Sequence, residues 1–89
     1  MLFMTIFSYE PENRDEVIKR AVSDGLQTPD DVKELGVWSA LSGGKVFRLL
    51  EADDEKLLYQ GTYLWSDLGK IEVVPVMETH QLLEMLARM

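Results

Sequence analysis

Eighty-nine residues suffice for one compact domain and are too few for two, and a chain this short leaves much of its surface exposed unless another copy covers part of it. Sixteen acidic against nine basic residues give a formal charge of -7, which repels phosphate backbones and anionic headgroups and argues against nucleic acid and membranes as partners. With no cysteine, disulfides, thiolate nucleophiles and cysteine-ligated metal sites are excluded, a composition that suits a reducing cytoplasm.

The chain opens on Leu2 to Tyr9, "LFMTIFSY", rich in β-branched and aromatic residues and stopped by "EPEN". This predicts a strand followed by a turn. No basic segment precedes the apolar run and no small-residue cleavage site follows it, so no signal peptide is expected. One face of the strand carries Leu2, Met4 and Ile6, the other Phe3, Phe7 and Tyr9 with Thr5 between them. A strand apolar on both sides is expected to be central and covered on both.

"NRDEVIKRAVSDG" predicts a helix: Asn13 is the expected N-cap, Glu16 stands three residues on, and Gly25 is the stop. Val17, Ile18, Ala21 and Val22 share its apolar stripe, leaving Arg14, Asp15, Lys19 and Arg20 on the solvated side. After a loop, "LQTPDDVKE", come two extended runs, "LGVWSAL" and "KVFRLLEA". They are joined through "SGG", whose paired glycines supply the positive φ angles of a tight hairpin.

The acidic knot Glu51, Asp53, Asp54 and Glu55 then leads into "KLLYQGTYLWSDL". There Leu57, Leu58, Gly61, Leu64, Trp65 and Leu68 form a helical stripe, with Gly61 expected to permit close approach to a sheet. "KIEVVPVM" is a fourth strand, and Pro75, which cannot donate to a ladder, assigns it to a sheet edge. "THQLLEMLARM" ends the chain as a short amphipathic helix with Leu82, Leu83, Leu86 and Met89 on one face. No run approaches the roughly 20 apolar residues that span a bilayer. A soluble cytoplasmic protein is the expectation.

The order β-α-β-β-α-β plus a terminal helix is that of the α+β, ferredoxin-like split βαβ fold, in which two helices cover one face of a four-stranded antiparallel sheet. Residues 1–89 then form one domain, with 1–77 as its core and 78–89 as the added helix. The first and third strands are central. The uncovered face would expose either the Phe3 or the Leu2 set of side chains, and such a patch marks an interaction surface, most simply one for a homodimer.

Phe47 to Asp54 ("FRLLEADD"), "WSDL" from Trp65, "EVVPV" from Glu72, "GLQTPDDV" from Gly25 and the strand "VWSA" together carry a resemblance. The chain resembles a group of small prokaryotic proteins in the dimeric α/β-barrel superfamily, catalogued as domain of unknown function 3303. The likeness covers residues 1 to about 77, with the helix from Thr79 resembling an addition or a variable tail. It implies a ferredoxin-like fold and a dimeric α/β-barrel, and it implies no reaction.

Among candidate sites, the acidic knot lacks the looped spacing and glycine turn of a calcium site, and its placement suits a helix start: Asp53 as N-cap, Asp54 and Glu55 against the helix dipole. Glu51 precedes the cap, and the strand's pleat sets its direction. No metal or cofactor is expected. His80, the only histidine, has no partner at recognisable spacing, and Ser8, Ser39 and Ser42 belong to no triad.

Arg48 lies between apolar neighbours in a central strand, where a guanidinium needs a partner. Glu72 is the mate considered, and the pair reads either as an internal salt bridge or dimer contact, or as an anion-binding group. Trp38, Tyr59, Tyr63 and Trp65 read as core or interface, or as the lining of a pocket between sheet and helix. Arg48, Trp38, Tyr63, Glu72 and His80 are therefore the candidate ligand-binding residues.

Three functions compete. The first is a homodimer that binds a small apolar or anionic molecule. The second is a cofactor-independent monooxygenase or isomerase of the dimeric-barrel type, which rests on fold analogy. RNA binding, the third, is disfavoured because "KVFRLLEA" lacks the RNP1 pattern and the charge has the wrong sign.

Overall fold

The computed structural model describes all 89 residues. Its four strands, β1 (Leu2–Ser8), β2 (Lys33–Ser39), β3 (Lys45–Glu51) and β4 (Lys70–Val76), form one sheet in the order β2-β3-β1-β4. Every neighbouring pair is antiparallel. The helices are α1 (Arg14–Asp24), α2 (Tyr59–Trp65) and α3 (Thr79–Ala87). This is the ferredoxin-like arrangement: β1 and β3 are central, and the proline-bearing β4 is an edge. The hairpin between β2 and β3 turns through Gly43 and Gly44 at φ angles of 85° and 84°.

The register sorts the side chains. Thr5 lies between Arg48 and Val73, Phe7 between Val46 and Ile71, and Phe3 beside Leu50. All of these face α1 and α2. The opposite face carries Leu2, Met4 and Ile6 with Phe47, Leu49, Trp38, Val74 and Val76, and neither α1 nor α2 covers it. Of the two sets that sequence leaves as alternatives, the open one is therefore the Leu2 set.

Three local expectations change. Asn13 does not cap α1; a 3-10 turn at Pro11–Asn13 leads into the helix, and the Asn13 amide instead donates to the carbonyl of Leu68 at 3.0 Å, tying α1 to the loop before β4. The acidic knot caps one residue late: Asp54 Oδ1 accepts from the Lys56 amide at 2.9 Å. In place of one long helix, a 3-10 turn at Glu55–Leu58 precedes the seven-residue α2.

The one cluster of buried apolar side chains lies at one end of the layer, with Val17 and Leu68 buried apart from it. Phe3, at 2 % exposure, packs with Val32, Leu50, Ala52 and Leu58, flanked by Leu57 and Val73. The terminal helix α3 has no buried residue, and its Leu82, Leu83, Met85 and Leu86 are exposed. Glu78 caps it by accepting from the Gln81 amide at 3.2 Å.

Candidate functional site

At the other end of the layer the helices stand over a partly open cavity of about 230 Å³. Its floor is Thr5 and Phe7 of β1, Val37 of β2, and Val46 and Arg48 of β3. Val17, Ile18 and Ala21 of α1 form one wall, Gly61, Thr62 and Trp65 of α2 another, and Leu26 to Pro29 of the α1–β2 loop close the side. Val17, Ile18 and Ala21 of the stripe read from sequence thus line an opening, whereas Val22, expected on the same stripe, is 81 % exposed. A second opening of about 270 Å³, between α2 and β4, shares Leu58, Thr62 and Ile71 with it and is bordered by Tyr59.

Gly61 has a different purpose from the expected one. A Cβ built at this residue would meet nothing within 4 Å, so the missing side chain leaves space in the cavity instead of admitting a close contact. Trp65 closes the end of the space with its edge on Phe7, ring centroids 5.6 Å apart, and Phe7 in turn lies 5.6 Å from Tyr9.

Arg20, expected in solvent, holds the two helices together. Its guanidinium makes two bonds of 2.9 Å to the Asp67 carboxylate and one of 2.9 Å to the Leu64 carbonyl, and it lies 5.5 Å over the Trp65 ring. These hydrogen bonds hold the Asp67 carboxyl below its ordinary value and raise the guanidinium's.

Arg48 is the charged member of the cavity lining, and its partner is Glu34, not Glu72. Arg48 Nε and Nη2 donate to Glu34 Oε2 at 2.9 and 2.6 Å, and Nη2 also donates to the Thr28 hydroxyl at 2.6 Å. Glu72 pairs across the sheet with Ile6, and so projects from the opposite face. The signal for Glu34 is hidden by a β-bulge. Leu35 is the extra residue between Glu34, opposite Leu50, and Gly36, opposite Leu49. Strict alternation back from Val37 would send Glu34 to the open face, whereas the bulge returns it to the helix side beside Arg48.

The remaining candidates lie elsewhere. Trp38 is on the open sheet face, 54 % exposed, with its indole lying over Gly36 so closely that any Cβ there would strike the ring. Tyr63 points outward from α2 at 79 % exposure. His80 is on α3, where Nδ1 is 2.9 Å from Glu78 Oε1, a hydrogen bond that lowers the Glu78 carboxyl. The structure therefore brings Arg48 together with Glu34, Thr28, Thr5 and Trp65, and it does not bring Trp38, Tyr63, Glu72 or His80 to them.

Fold and cavity define a ferredoxin-like α+β protein with an apolar space between sheet and helices. The sequence model of one family, described as "Domain of unknown function (DUF3303)", matches residues 1–89, and the chain belongs to that family. The match extends through α3 to residue 89. No curated protein and no solved structure matches the chain. None of its helices is long and apolar enough to cross a membrane.

Proposed function

We propose that this protein is a homodimer that binds a small, largely apolar molecule in the space between its sheet and helices. The observation that carries the reading is the 230 Å³ cavity, more than half of whose 20 lining residues are hydrophobic. Ligand sites are typically apolar with a few placed polar groups, and a space of this size suits a molecule of one or two rings. A cofactor-independent oxygenase or isomerase is less well supported. The ionisable side chains of the lining are a guanidinium, Arg48, and a phenol, Tyr9, rather than the carboxylate or imidazole that abstracts protons at neutral pH.

The dimer rests on the open face, where Leu2, Met4, Ile6, Phe47 and Leu49 are half-buried and Trp38 and Val74 exposed. The apolar side of α3 is likewise unpartnered, and a nine-residue helix alone in water is marginal. A second copy set against this face would cover an apolar patch that a monomer leaves in water.

Titrating toluene and following amide shifts by NMR tests the binding. Shifts at Thr5, Gly61 and Thr62 that vanish in Gly61→Leu are the expected result; undiminished binding by that variant would refute it. Light scattering tests the assembly, and a stable monomer at micromolar concentration would remove the dimer.

A further inference from the structure

We propose that the cavity selects a neutral molecule carrying one acceptor oxygen, a carbonyl or carboxamide, and discriminates against free carboxylates. This rests on the cavity being the binding site, and it decides between the apolar and anionic ligands that the sequence leaves open.

Three features of Arg48 point the same way. First, its charge is already answered: Nε and Nη2 both donate to a single oxygen, Glu34 Oε2, and Nη2 also reaches Thr28. A ligand carboxylate would have to share the guanidinium with an existing carboxylate or displace it, and like charges a few ångströms apart repel strongly outside bulk water. Second, the Glu34 contact is built into the backbone. It depends on the bulge at Leu35, so releasing it would leave Glu34 on the cavity side of β2 with its partner taken.

Third, one nitrogen, with its two N–H groups, remains. Nη1 makes no hydrogen bond within the protein, yet it is not sealed, because no buried side-chain nitrogen or oxygen is left without a partner. The Arg48 side chain is 14 % exposed and forms part of the cavity surface. A neutral acceptor oxygen satisfies Nη1 without adding charge, and the Thr5 hydroxyl, opposite Arg48 on β1, lies on the same floor. Burying an ionised ligand group in such apolar surroundings would cost far more than burying a carbonyl. The formal charge of -7 adds a long-range penalty for anions.

The test compares toluene, benzamide and benzoate, probes of nearly equal size, by NMR titration of the full chain at neutral pH. Benzamide is expected to bind about tenfold more tightly than toluene, since a hydrogen bond to a charged donor is of that order, and about tenfold more tightly than benzoate, whose charge meets the Glu34 carboxylate and loses its water. In Glu34→Gln, which keeps the shape and uncovers the guanidinium, benzoate should gain about tenfold while toluene is unchanged. Benzoate binding as tightly as benzamide to the unaltered protein overturns the selectivity, as does a Glu34→Gln variant that folds and leaves the ranking unchanged. If Glu34→Gln does not fold, the ranking on the unaltered protein decides alone. The two readings fail differently: if toluene itself does not bind, the cavity is not a site, whereas toluene binding without preference for benzamide refutes the headgroup alone.

Discussion

Phe3 and Phe7 stand four residues apart on the same face of the same strand, and their surroundings differ. Over Phe3 the 3-10 turn at Glu55–Leu58 brings Leu58 down against Leu50, Ala52 and Val32, and the ring is 2 % exposed. Over Phe7 stand Trp65, held by its neighbours, and Gly61, which has no side chain to lower into the gap. The layer is solid at one end and hollow at the other, and the difference comes from what the second crossover presents to each. A sealed dry void of 230 Å³ would cost on the order of 5 kcal/mol at about 24 cal/mol per Å³. The space is partly open, so water can enter it and that full cost is not borne; a molecule that binds there only in the folded state would stabilise the fold by mass action.

The strongest way to break this contrast is to truncate both rings. Phe3→Ala should cost about 3 to 5 kcal/mol, the range for a buried phenylalanine, and leave the domain close to unfolded. Phe7→Ala, which enlarges a space already open, should cost less than half as much. Urea denaturation measures both, and equal losses would mean that the two ends are packed alike.

A smaller effect is expected at the polar member of the hollow end. Arg48→Met strands Glu34 beside an apolar floor; with side chains 14 % and 33 % exposed, the pair lies between surface and buried limits, and the expected loss is about 1 to 3 kcal/mol. Adding Glu34→Leu to that variant should recover most of the loss, because no unpaired carboxylate remains. A double variant no more stable than Arg48→Met would show that packing of the arginine stem, not charge, is what was lost.

The frame is legible in the sequence because its signals are local and mutually consistent. The strand β1, with large apolar residues on both faces, the Gly43–Gly44 turn and Pro75 each prescribe a place in the sheet, and together they leave one topology. The site is less legible because it depends on departures from regularity. A bulge at Leu35 moves Glu34 across the sheet, and no periodic pattern announces a bulge. Likewise the stripe from Leu57 to Leu68 reads as one helix, but a 3-10 turn precedes the short α2, and Leu64, expected on the stripe, is 48 % exposed while Gly61 and Trp65 face the cavity. Arg48 stands out by its chemistry, as a charge amid apolar neighbours, whereas its partner requires geometry.

Gly61 sharpens the comparison from the helical side. It has no positive φ, and a Cβ there meets only open space, so Gly61→Ala should stabilise the protein by up to about 1 kcal/mol through helix propensity. Destabilisation in thermal denaturation would mean that the glycine packs against the sheet after all, the arrangement expected from its place in the stripe.

The smallest effect is expected at the clamp that carries Trp65. The Arg20 hydrogen bonds hold the Asp67 carboxyl below its ordinary value of 3.8, so the folded state binds its proton less readily than the unfolded chain. Linkage sets the sign: the contribution is complete above the unfolded value and is lost as pH falls through the lower folded one. Compared with Asp67→Asn, the unaltered protein should therefore be more stable near pH 6, and the difference should close as the pH drops below about 4. High salt should shrink the difference, since both groups lie at the surface. A gap that persists unchanged in strong acid would assign the clamp to the Leu64 carbonyl and the Trp65 ring, which do not titrate, and Arg20 would then hold the hollow end open without help from the carboxylate.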